Sequence, residues 1–66
     1  MQIVLNGEPI DTSAGSTVET LLQQLGISRE RVAVEMNADI VPKADYENRL
    51  LSDGDKIEIV HFVGGG

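Results

Sequence analysis

Hydrophobic and polar positions along this chain alternate in two different rhythms, and the change of rhythm marks its elements. Met1 to Leu5 alternates with a period of two and predicts a strand with Ile3 and Leu5 on one face. Asn6-Gly7 follows, the dipeptide best suited to the two positive φ angles of a type I′ hairpin turn. Glu8 to Thr12 is the return strand. Pro9 within it cannot donate to a ladder, so the strand belongs at a sheet edge. The rhythm then becomes helical. Val18, Leu21, Leu22 and Leu25 fall on one stripe of a helix spanning Thr17 to Leu25. Ser16 with Glu19 three residues later reads as a capping box, and Gly26 is placed to end the helix in a left-handed conformation.

Beyond the helix the period returns to two. Val32 to Met36 predicts a strand with Val32, Val34 and Met36 inward and Glu35 outward. Asn37-Ala38-Asp39 reads as a turn into Ile40-Val41, and Pro42 stops regular pairing. Lys43 to Asn48 is polar and irregular, with room for a short helical turn. Leu50-Leu51 reads as a short apolar strand, and Ser52-Asp53-Gly54-Asp55 as a turn. The last strand runs from Lys56 to about Phe62, with Ile57 and Ile59 facing in. One helix can cover only one face of a sheet, so the other face meets water. The pattern predicts an α+β fold of the β-grasp type known from ubiquitin, with a mixed sheet of four to five strands packed on one main helix.

Length and composition narrow the chemistry. Sixty-six residues make one domain, divided here into a globular part, residues 1–63, and a glycine tail, residues 64–66. With no cysteine and one histidine, His61, neither a disulfide nor a zinc site is expected to staple the fold. Tyr46 and Phe62 are the only aromatics, so the core must come from Leu, Ile and Val. A large cofactor pocket would compete with that core, and no bound cofactor is expected. The net charge of −6 repels phosphate backbones and argues against nucleic acid. It suits a basic groove on a partner protein. No run is long enough to span a membrane and no export leader is evident, which points to the cytoplasm.

Two features carry candidate chemistry. On the last strand Lys56, Glu58, Val60 and Phe62 share the face opposite Ile57 and Ile59. Val60 and Phe62, with Val4 of the first strand, then form an apolar group on an open sheet, flanked by Glu58. Such a group suggests a partner surface; scattered exposed apolar residues are the plainer alternative. His61, alone near a strand end, fits a structural or interface role. The second feature is Gly64-Gly65-Gly66. A tail without side chains can thread a narrow channel and is expected to be mobile and unpacked. A carboxylate at its end is a poor electrophile. Transfer of AMP from ATP would turn it into a mixed anhydride, which a sulfur nucleophile could convert to a thiocarboxylate. A frayed end without function is the alternative.

The stretches Asn37 to Lys43, Asp53 to Val60 and His61 to Gly66, with the opening Met1 to Gly7 and the helix from Thr17 to Leu25, resemble the ThiS family of thiamine-pathway sulfur carriers. The resemblance spans the chain. It implies that Gly66 is adenylated, with ATP consumed by an adenylyltransferase related to ubiquitin-activating enzymes. Sulfur drawn from cysteine, through a cysteine desulfurase or related donor, then replaces one oxygen, and the thiocarboxylate donates it to a thiazole synthase. On this reading the chain is a protein cosubstrate and not an enzyme. Gly66 carries the acyl group, while Gly65 and Gly64 give slim access. Many relatives end in two glycines where this chain has three. A molybdopterin synthase small subunit, a ubiquitin-like modifier and a plain β-grasp binding module remain open as alternatives.

Overall fold

A computed structural model describes residues 1–62. The strands are β1 (Gln2–Leu5), β2 (Glu8–Asp11), β3 (Val32–Met36), β4 (Asp39–Val41) and β5 (Lys56–His61), and the helix is α1 (Val18–Leu25). Single 3-10 turns lie at Arg29–Arg31 and Lys43–Asp45. The strands form one mixed sheet in the order β2-β1-β5-β3-β4. The central strand, β5, runs parallel to β1 and antiparallel to β3. This is the β-grasp arrangement, with Pro9 on the edge strand β2 as its missing donor requires.

The two hairpins use the same device. Leu5 pairs with Glu8 across Asn6-Gly7, whose φ values are 48° and 85°. Met36 pairs with Asp39 across Asn37-Ala38, at 52° and 73°. Both are two-residue loops of the I′ kind, whose twist matches that of the flanking strands. The turn after β3 is therefore shorter than expected, because Asp39 already belongs to β4.

The helix begins one residue later than the first capping pattern suggests. Thr17 is the N-cap: its hydroxyl accepts from the Thr20 N–H at 3.2 Å, and its own N–H donates to Thr20 Oγ1 at 2.7 Å. The expected Ser16–Glu19 box does not form. Ser16 Oγ turns back to the Ser13 carbonyl at 2.6 Å, and Glu19 pairs with Arg29. Gly26 ends α1 with φ 71°, its N–H donating to the Gln23 carbonyl. Val18, Leu21 and Leu22 are buried, whereas Leu25, assigned to the same stripe, is 36% exposed at the helix end.

Two further expectations are corrected. Leu50-Leu51 is no strand of the sheet. It docks against the start of α1, the Leu51 N–H donating to the Ser16 carbonyl and the Val18 N–H to the Arg49 carbonyl, so that Leu50 makes only an isolated bridge with Thr17. The core is also not purely aliphatic. Tyr46, within the segment read as polar, is among the most buried residues, with Ile3, Leu21, Leu22 and Ile57. Its carbonyl accepts from the Glu19 N–H at 2.9 Å and so satisfies an otherwise free donor in the first turn of α1. Arg29 closes this corner. Its guanidinium lies 2.9 Å from Glu19 Oε1, donates to the Lys43 carbonyl at 2.6 Å and sits 5.4 Å from the Tyr46 ring centroid.

Candidate functional site

β5 carries the chain from the core toward the glycine segment, and its alternation sets the two faces. Ile57 and Ile59 are buried beneath α1, while Lys56, Glu58 and Val60 face outward. The β3 register sets Ala33 beside Val60 and Glu35 beside Glu58. The β4 register sets Ile40 beside Glu35. The open face thus carries Val60, 54% exposed, and Ile40, 76% exposed, on either side of a pair of carboxylates. The sequence pattern places Ile40 only after the Asn37-Ala38-Asp39 turn and gives it no part in the open face. The signal was present, since burying Val41 forces its neighbour outward.

The expected cluster of Val4, Val60 and Phe62 is looser than anticipated. Val4 shares the face but stands opposite Lys56, four residues from Val60 along β5, roughly 13 Å away at the rise of a strand. Phe62 lies just past the end of β5. Its N–H donates to the Arg31 carbonyl at 2.9 Å, and its ring, 58% exposed, lies 5.4 Å from Lys43 Nζ. The Phe62 side chain therefore contacts the cation after β4 and is not simply the next residue in the Val60 row.

Glu58 does flank the apolar positions, and Glu35 doubles its charge. In an antiparallel hydrogen-bonded pair the Cα atoms stand about 5.5 Å apart, and like charges placed so are unfavourable. A Lys or Arg from a partner would relieve that repulsion, so the pair suits the basic surface anticipated from the net charge. His61 lies at the exposed end of β5 opposite Val32. Among the described residues no group of three His, Cys, Asp or Glu side chains could hold a metal ion. No helix among them is long and apolar enough to cross a membrane. The tail residues Gly64, Gly65 and Gly66, with the expectation that they are mobile, lie outside the described residues.

The model of the ThiS family matches residues 3–66, the β-grasp elements and the glycine segment together. The chain belongs to the ThiS family. It is 35% identical to the sulfur carrier protein ThiS of Escherichia coli over 66 residues, covering the whole of both chains. The crystal structure of the thiamine biosynthesis protein ThiS from Geobacter metallireducens superimposes with a TM-score of 0.83 at 32% identity, again covering both chains completely. A protein of Paramagnetospirillum magneticum named thiazole synthase is 53% identical over 66 residues. All of the present chain aligns with it but spans only 20% of its length, so a ThiS-like segment stands there within a longer polypeptide.

Proposed function

We propose that this ThiS-family chain is a sulfur carrier in thiamine biosynthesis and that its Gly66 carboxylate is the group that carries sulfur. A carboxylate oxygen of Gly66 attacks the α-phosphorus of ATP and pyrophosphate leaves, giving an acyl adenylate. A hydrosulfide equivalent derived from cysteine adds to the carbonyl, AMP departs, and a thiocarboxylate remains. The thiocarboxylate sulfur is then available to a thiazole synthase. The adenylyltransferase supplies the catalysis and binds ATP; the carrier supplies the acyl group, a slim approach through Gly65 and Gly64, and a docking face around Val60, Phe62 and Glu58. An ATP-dependent reaction of this kind fits the cytoplasm.

The observation that supports this reading most is that the family match runs through residue 66, glycines included, and does not stop at the globular elements. The relative named thiazole synthase supports that partner over a molybdopterin-forming one. Glycine at the reacting position leaves the carbonyl uncrowded, whereas a β-branched side chain would stand beside the path of the incoming sulfur. The test is ATP–pyrophosphate exchange with the cognate adenylyltransferase. Removal of Gly65 and Gly66 should abolish exchange, and Gly66→Val should impair it severely while Gly64→Ala is milder. A truncated chain that supports exchange as well as the full one would remove Gly66 from this role.

A further inference from the structure

We infer that Asn6 is a positioning residue for the end of β5, holding that strand in line for docking on the activating enzyme. This rests on the sulfur-carrier reading above. β1 stops pairing through its backbone where the chain turns at Asn6 and Gly7, and the last such bond runs from the Asn6 N–H to the Ile57 carbonyl at 2.8 Å. β5 continues to His61. The Asn6 side chain fills the next place in the ladder. Its Oδ1 accepts from the Ile59 N–H at 2.8 Å and its Nδ2 donates to the Ile59 carbonyl at 3.2 Å. One amide thus satisfies both backbone groups of Ile59, a task that needs a donor and an acceptor side by side.

Ile59 is the last buried residue of β5. Beyond it, among the described residues, the one backbone bond at this end outside the β3–β5 register runs from the Phe62 N–H to the Arg31 carbonyl, on the β3 side. On the β1 side, Asn6 is the last restraint on β5 among the described residues. Its φ of 48° lies in the left-handed region, which asparagine tolerates and most residues do not. The turn therefore presents the amide at the height of Ile59. Without it, the described end of β5 is held only from the β3 side, and ordering it becomes part of the cost of docking. Ordering one backbone residue corresponds to about five- to thirtyfold in affinity.

The experiment measures ATP–pyrophosphate exchange against carrier concentration for the wild type, Asn6→Gly and Asn6→Asp, with amide hydrogen exchange on the free carriers. Asn6→Gly keeps the positive φ and removes the clamp; Asn6→Asp keeps the acceptor and loses the donor. The expected result for Asn6→Gly is a KM for carrier raised about five- to thirtyfold with kcat nearly unchanged. Protection at Ile59 should be lost while protection at Leu22 is retained, and Asn6→Asp should fall between. Unchanged KM alongside lost Ile59 protection overturns the inference, as does a fall in kcat alone or loss of protection at Leu22 as well. No exchange with the wild-type chain would instead overturn the carrier reading, and the inference with it.

Discussion

Replacing Arg29 perturbs three contacts at once, and their separate sizes can be read from the structure. The Arg29–Glu19 ion pair, at 2.9 Å, joins side chains 30% and 19% exposed. After allowance for solvent screening it contributes about 0.5–1 kcal/mol. The hydrogen bond to the Lys43 carbonyl has a charged donor and contributes about 1–2 kcal/mol. The contact with the Tyr46 ring adds about 0.5–1 kcal/mol. Glu47 and Glu30, at 3.6 and 3.9 Å, have mostly exposed side chains and add little. Arg29→Ala should therefore cost about 2–4 kcal/mol, a large share of the stability of so small a domain. Glu19 Oε1 sharpens the loss, because it is buried and, among the described residues, has no hydrogen-bond partner beyond this ion pair. Arg29→Lys keeps a charge near Glu19 but cannot also reach the Lys43 carbonyl with the same planar fork, and should cost about 1–2 kcal/mol. The assay is urea unfolding followed by far-ultraviolet circular dichroism, with the midpoint expected to fall and the slope to stay constant. A midpoint for Arg29→Ala within about 0.5 kcal/mol of wild type would refute the view that this side chain pins the Tyr46 corner to α1.

Tyr46 and Phe62 each carry a further expected outcome. Burial raises the Tyr46 phenol above its ordinary value near 10, outweighing the lowering effects of a backbone hydrogen bond and of Arg29. The folded state then holds the proton more tightly than the unfolded one. This contribution to stability is fully present below about pH 10 and is lost as pH rises through the folded-state value. Tyr46→Phe should flatten that alkaline decline in thermal melts, and parallel declines for the two proteins would contradict it. Phe62→Ala should weaken binding to the adenylyltransferase by about 1–3 kcal/mol if the ring is a docking anchor. The melting temperature should barely move, since the ring is more than half exposed. Unchanged affinity in titration calorimetry would remove Phe62 from the interface.

The elements that sequence made legible are those whose signal is local. Asn6-Gly7, the Val18–Leu22 stripe, Gly26 and the alternation of Val32–Met36 and Lys56–His61 each determine their own backbone, and together they leave the β-grasp as the natural packing. What sequence concealed depends on contacts between distant segments. Tyr46 stands in a polar run and is buried only because α1 and Arg29 close over it. Leu50-Leu51 resembles a strand, yet its partner is the backbone at Ser16 and Val18 and not the sheet. Two overlapping capping patterns, at Ser16 and Thr17, differ by one residue, and Arg29 draws Glu19 away from the first. At the candidate site Val60 and Glu58 were legible from alternation. The place of Val4 was not, because it depends on the β1–β5 register, which no short-range pattern sets. Asn6 shows both sides. Its turn was evident from the dipeptide, whereas its side-chain bonds to Ile59 join positions far apart in the chain.

The most direct test of the sulfur-carrier proposal is the intact mass of the full chain after incubation with ATP, sulfide and the adenylyltransferase, followed by fragmentation of the product. The proposal predicts a mass gain equal to the exchange of one oxygen for one sulfur, localised to Gly66, dependent on ATP, and reversed when a thiazole synthase and its other substrates are added. A carrier joined through Gly66 to a lysine would contradict it in favour of a protein modifier. An unchanged mass, with an adenylyltransferase active on an authentic ThiS carrier, would leave the fold without the proposed chemistry.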